Sequence, residues 1–223
     1  MLVVALVSQK GGAGKTTLAT NLAVLGERRG YPAVIFDLDP QASATTWGDA
    51  RAGDAPDVVA AQPSRLPILL ATAEQQGVRL AIIDTAPNAD SAALVAAKAA
   101  NLVLIPCRPS AFDINAIGAS VRLAAQIAER PSFVVINAAP PRSAIADEAA
   151  ATLAEAGVSV APVRLYQRMA FVNPLAGGRS AIEWEPKGKA AAEISDLWDW
   201  LCKVAGVPAR HQDSKTARKA ANG

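Results

Sequence analysis

The chain opens Leu2-Val3-Val4-Ala5-Leu6-Val7 and continues Ser8-Gln9-Lys10-Gly11-Gly12-Ala13-Gly14-Lys15-Thr16-Thr17. The first six residues are apolar without alternation, which reads as a strand covered on both faces. From Thr16 to Arg29, Leu18, Leu22 and Leu25 share one helical face. Arg28 and Arg29 put cations at the negative end of that helix, and Gly30 stops it. Strand, glycine-rich turn and helix in this order make a phosphate cradle. Glycines let N–H groups turn inward toward phosphate oxygens, and the helix adds its positive end. Gly14-Lys15-Thr16 closes the ordinary phosphate-loop pattern, whose first Gly would fall at Gln9; Lys10, Gly11 and Gly12 stand there instead. Lys15 can reach the β- and γ-phosphates of a bound nucleotide, and the Thr16 hydroxyl can ligate Mg²⁺.

Further apolar runs recur at strand length: Ala33–Phe36, Leu80–Ile83, Leu102–Ile105, Phe133–Ile136 and Val158–Val160, with Asp57–Ala60 as a short edge strand. Helical periodicity fills Phe112–Glu129 (Ile114, Ile117, Val121, Ala125) and Lys189–Ala205 (Ile194, Leu197, Trp198, Leu201). Alternation of this kind predicts an α/β fold: a doubly wound, mostly parallel sheet with helices on both faces. With 223 residues the chain suits one such domain. The expected division is a single domain over 1–207 and a flexible, polar, basic tail over 208–223.

Composition removes several classes of function. Half the residues are apolar, but 50 are Ala and only 10 are Phe, Trp or Tyr, so the core is aliphatic. No apolar run reaches the roughly 18–20 residues of a membrane span, and Met1–Val7 has no basic leader or cleavage site. Cys107 and Cys202 make no disulfide framework and lack metal-ligand spacing. His211 is the only histidine. A cytoplasmic protein is expected. The net charge of +2 divides unevenly: residues 210–223 carry +3, a weak sign of a polyanionic partner.

Lys10 is the unusual residue of the loop. A second lysine beside Lys15 is repulsive unless polyphosphate lies between them. One triphosphate is already served by Lys15, the amides and Mg²⁺, so Lys10 fits a second nucleotide across a two-fold axis. Phe36-Asp37-Leu38-Asp39-Pro40-Gln41 places two carboxylates at i and i+2, on one side of a strand end facing the ligand crevice. They could hold Mg²⁺ through water and orient an attacking water; Asp39 could also cap a helix starting at Pro40. Leu80-Ala81-Ile82-Ile83-Asp84-Thr85-Ala86-Pro87 ends a strand in Asp84, the arrangement that completes a Mg²⁺ shell below a phosphate loop.

Lys10 to Thr17 resembles the deviant Walker A box, KGGxGK[TS][TS], of the ParA/MinD ATPases. The resemblance gives Lys10 the role of contacting the nucleotide of the partner subunit in an ATP-sandwich dimer. It gives Gly11, Gly12, Ala13, Gly14, Lys15, Thr16 and Thr17 the nucleotide cradle, and Asp37-Leu38-Asp39-Pro40-Gln41 the second box. Asp39 then orients the hydrolytic water, with Asp37 assisting. The metal ligands are Thr16, Asp39 and Asp84, the last within a switch segment. Val103 to Ser110, with Asp113, resembles a segment near the family's dimer face, though Ser110 and Asp113 also read as a helix cap. Asn137, at a strand end, is placed as an adenine contact. Tyr166-Gln167-Arg168 and Gly178-Arg179-Ser180-Ala181-Ile182 resemble the small partition ATPases, so the chain is similar to the short ParF-like type, without an N-terminal helix-turn-helix.

That resemblance implies a weak, partner-stimulated ATPase needing ATP and Mg²⁺. It would form an ATP-dependent homodimer, bind DNA without sequence preference, and move plasmid, chromosome or other cargo with a ParB-like adaptor. It would sit on the nucleoid when ATP-bound. Candidate DNA contacts are Arg164, Arg168, Arg179, Lys187, Lys189 and Lys203. A MinD-like membrane ATPase is the alternative, but Arg210–Gly223 has no large apolar side chain for lipid. A metabolic enzyme on the same fold is a third reading; a cluster-bearing reductase is disfavoured by the cysteine positions.

Overall fold

The structure is a computed structural model that describes residues 1–51, 55–110 and 130–210. Seven strands form one sheet: β1 (Leu2–Leu6), β2 (Ala33–Asp37), β3 (Asp57–Ala60), β4 (Leu80–Asp84), β5 (Leu102–Cys107), β6 (Ser132–Ala139) and β7 (Val160–Tyr166). Their order is β3-β2-β4-β1-β5-β6-β7, and every pairing is parallel. The described helices are α1 (Lys15–Arg28), α2 (Ser43–Asp49), α3 (Leu66–Gln75), α4 (Asp90–Ala99), α5 (Ile145–Glu155), α6 (Ala181–Trp184) and α7 (Lys189–Ala205). The helix expected at 112–129, with Asp113, lies outside the described residues.

Parallel strands need crossovers, and the crossovers cover both faces. Alternate residues of each strand therefore serve two cores. Leu2, Val4 and Leu6 join Ile35, Ile82 and Leu104 beneath α1, α2, α6 and α7. Val3, Ala5 and Val7 join Phe36, Ile83 and Ile105 beneath α3, α4 and α5. Small residues set the spacing: a Cβ on Gly26 of α1 would lie 2.5 Å from Leu80 Cδ2. Alanine does the same for α4, where Ala93, Ala96 and Ala97 are buried.

Asp57–Ala60 is the edge strand expected from the sequence. The last strand is not Val158–Val160 but runs Val160–Tyr166. Buried Ala161 and Leu165 alternate with exposed Pro162 and half-buried Arg164. A Pro and an Arg hide the strand pattern, yet an edge tolerates both. At the end of α7, Trp198 Nε1 donates to the Ala209 carbonyl at 3.0 Å, and the Tyr31 hydroxyl donates to that of Pro208. Residues 208 and 209 are thus held against the body.

Candidate functional site

The carboxyl ends of β1 and β4, adjacent at the sheet centre, carry the site. This is where an open parallel sheet leaves a crevice for ligands. Beyond β1, Ser8 to Gly14 wrap the N-terminus of α1. Gly12 (φ 71°) and Gly14 (φ 99°) take left-handed backbone there, a conformation that glycine adopts without a Cβ penalty. A Cβ on Gly14 would sit 2.1 Å from Asn137 Nδ2, so any other residue would be strained and would displace that amide. That amide donates to the Ala13 carbonyl at 2.7 Å. Asn137, expected as a base contact, therefore also holds the phosphate loop from the end of β6.

Lys15 is buried, and its ammonium lies 3.4 Å from the Ser8 carbonyl. Burial lowers its pKa, while Asp84 and Asp39 pull it back up. The Thr16 hydroxyl donates to Asp84 Oδ2 at 2.6 Å. Asp84 is 1% exposed, and its Oδ1 has no hydrogen-bond partner. Burial pushes its carboxyl up to about 7 against the Thr16 hydrogen bond, with Asp37, Lys15 and Asp39 adding smaller effects. A buried carboxylate oxygen without a donor is costly unless a cation meets it. Among the described residues no three His, Cys, Asp or Glu side chains gather as a metal cage. One hydroxyl and one carboxylate leave most of a shell to water and phosphate, which fits Mg²⁺.

The two carboxylates after β2 have different jobs. Asp37 is buried and accepts from the Asp39 amide (3.0 Å) and from the Thr45 amide and hydroxyl (2.9 Å each). It ties the loop to the first turn of α2. Asp39 is half-buried on the wall of a cavity of about 780 Å³ that also exposes Gly12, Lys15, Thr16, Arg108 and Asn137. Asp39 does not cap a helix at Pro40. Its Oδ1 accepts from the Gln41 amide at 2.9 Å within a turn, and α2 starts only at Ser43.

Lys10 is exposed, and its amide donates to the Ser8 hydroxyl at 3.2 Å. Gly11, Gly14 and Thr17 also line the cavity, so six of residues 10–17 face one opening. Two residues were not picked out from sequence. Arg108, after β5, is the side chain that a Cβ on Gly12 would meet, 3.7 Å away. Gln9 donates to Asp90 at the start of α4. Both are contacts between distant stretches, and no local pattern announces them.

The six residues expected to contact DNA differ in their surroundings. Arg164 pairs with Asp147 (3.4 Å) and donates to the Ala161 carbonyl (2.6 Å). Arg168 is bound by Glu193, stacks over Tyr166 with 5.5 Å to the ring centre, and lines the nucleotide-sized cavity. Arg179, Lys187, Lys189 and Lys203 are exposed. Lys189 and Lys203 stand at opposite ends of α7, about 21 Å apart at 1.5 Å per residue. No described helix is long and apolar enough to cross a membrane.

Residues 4–174 match the family described as the CobQ/CobB/MinD/ParA nucleotide binding domain. The chain is 33% identical over 193 residues to Maintenance of carboxysome distribution protein A of Gloeobacter kilaueensis, covering 86% of this chain and 88% of that protein. It is 33% identical over 182 residues to Protein ParA of Rhizobium radiobacter, covering 77% and 81%. A solved ATP complex of a Cyanothece McdA variant superposes with a TM-score of 0.69, at 16% identity, covering 95% of this chain and 99% of that one. With the loop, the paired Thr16 and Asp84 and the strand order already in place, these matches settle the lineage: the chain belongs to the CobQ/CobB/MinD/ParA family of nucleotide-binding P-loop domains.

Proposed function

We propose that the chain is a Mg²⁺-dependent ATPase that dimerises around ATP, binds DNA without sequence preference, and segregates or positions a cargo. A ParB-like adaptor stimulates its slow hydrolysis, and the protein works in the cytoplasm, on the nucleoid when ATP-bound. The observation carrying this reading is the grouping of buried Lys15 and Asp84 with half-buried Thr16 behind a glycine-rich loop that carries exposed Lys10. Relatives named for carboxysome distribution and as ParA support the cargo-moving branch.

In this reading the amides of residues 11–16 and the Lys15 ammonium hold the β- and γ-phosphates. Thr16 and Asp84 hold Mg²⁺, with Asp39 reaching it through water. The ion, when bound, neutralises charge that builds on the phosphate oxygens. Asp39 orients the attacking water and takes up its proton. Asp37 keeps that loop in place through Thr45. Asn137 fixes the loop and meets the base. Arg179, Lys187, Lys189 and Lys203 are the basic side chains open to a DNA backbone, whereas Arg164 and Arg168 are already neutralised by carboxylates.

The test is binding to random duplex DNA with ATP, with ADP and without nucleotide, at two salt concentrations. ATP-dependent, salt-sensitive binding is expected. ATP hydrolysis with no DNA binding in any state would overturn the DNA step and turn attention to liposomes.

A further inference from the structure

A second depression, of about 450 Å³, lies away from the phosphate loop. Arg28, Arg51, Arg179 and Glu183 supply its charged lining, with Ala50, Gly177 and Gly178. It shares walls with the nucleotide cavity: α2 and the turn at 175–178 border both.

The three arginines are held in different ways. Arg51 is buried and closed. It donates to both oxygens of Glu183 at 3.1 and 3.0 Å and to the Gly178 carbonyl at 2.7 Å, and it stacks on Trp47. Glu183 is consumed by this pair and by the Ser180 amide and hydroxyl. Burial works to raise its carboxyl, but the Arg51 and Ser180 hydrogen bonds outweigh that and hold it low. Arg28 and Arg179 are exposed. Arg28 Nη1 donates to the Ile182 carbonyl (3.3 Å) and Arg179 Nη2 to the Glu183 carbonyl (2.8 Å). Arg179 also stacks over Trp184, 5.6 Å from the ring centre. Both arginines are anchored on α6 and line the same depression. Each has five donors, and among the described residues each spends one. With Glu183 cancelling Arg51, the depression keeps the charge of both. Like charges held together favour an anion between them, and guanidinium forks match phosphate oxygens.

We infer that the depression between Arg28 and Arg179 is a phosphate-binding site, whose natural ligand is a backbone phosphate of DNA. The DNA assignment rests on the reading above, while the phosphate site itself does not. Arg28, on the phosphate-loop helix, joins only Arg179 of the earlier candidates. The site opens to solvent, as a contact for a long polyanion must.

The experiment has two arms. In the first, anisotropy of a labelled random duplex is followed from 50 to 200 mM salt with ATP and Mg²⁺. Each lost phosphate contact removes about 0.9 from the slope of log K against log salt. Arg28→Gln with Arg179→Gln should lower the slope by about 2, and Lys at both positions should restore it. Arg28→Gln alone, with a fall of about 1, serves if the pair does not fold. In the second, melting is compared in phosphate and in chloride at equal ionic strength. Wild type should gain Tm from phosphate by an amount that the Gln pair loses in part. If wild type binds DNA and the Gln variants keep both the slope and the phosphate gain, the site is refuted while the DNA reading stands. If wild type binds no DNA, the DNA reading fails. A phosphate gain lost with the arginines would then leave a site for free phosphate, and an unchanged gain would refute it.

Discussion

Asp84 combines the two facts that define the site: one oxygen holds Thr16 and the other has no donor. Burial pushes its carboxyl up to about 7. In nucleotide-free protein the protonated form is therefore the one that fits. Between pH 4 and 7 the unfolded chain releases this proton first, so folding stability falls as pH rises and the full cost stands above 7. The size is about 4 kcal/mol from 1.4 kcal/mol per tenfold shift. Asp84→Asn should thus raise Tm by several degrees at pH 8 without nucleotide or metal, and by roughly half as much or less at pH 5. An equal effect at both would show that the carboxylate is not held against its burial. Asn137 offers a second test. Asn137→Ala removes the hydrogen bond to Ala13 and frees the loop, so the Kd for ATP should rise about tenfold, equivalent to 1.4 kcal/mol. Titration calorimetry would read this, and unchanged affinity would reduce Asn137 to packing. Most of these residues were legible from sequence because residues 8–17 are contiguous and Asp37, Asp39 and Asp84 end apolar strands. Arg108 and the Asn137–Ala13 bond were not, since each joins stretches about 100 residues apart or more.

At the level of elements, α2 carries more than its seven residues suggest. Thr45 in its first turn binds Asp37, Trp47 donates to the Arg179 carbonyl at 3.2 Å, and Arg51 just past its end locks onto Glu183. One short helix so connects the loop bearing Asp39 to the segment at 178–183. Arg51→Met should cost about 3–5 kcal/mol in urea unfolding, because it strands Glu183 in a low-dielectric site. Adding Glu183→Gln should recover part of the loss, since a neutral amide is cheaper to bury. Equal stability of single and double variants would mean the pair is not coupled. The strands were readable because residues covered on both faces form unbroken apolar runs. The helices α3 to α6 were not: half of α4 is alanine, which marks its buried face weakly, and α6 is only four residues long. β7 was misplaced because Pro162 and Arg164 interrupt its pattern, and only the sheet edge makes them acceptable.

Across the whole molecule, the strand order places β1 and β4 side by side at the centre, so the loops after both open on one crevice. The groups proposed to hold one triphosphate and its Mg²⁺ gather there: loop amides, Lys15, Thr16 and, bonded to Thr16, Asp84. Lys10 stands outside that set, exposed while Lys15 is buried. An exposed cation on the phosphate loop can meet phosphate from a second copy, where its charge is no longer redundant. Lys10→Ala should therefore keep the monomer's Tm and its ATP affinity within about twofold, a difference of about 0.4 kcal/mol. It should lose the dimer proposed for wild type with ATP and Mg²⁺. Sedimentation of wild type and variant, each with ATP, with ADP and without nucleotide, separates the outcomes. A variant that still dimerises would remove Lys10 from the interface. A variant that no longer binds ATP would assign Lys10 to the cradle of its own subunit, beside Lys15.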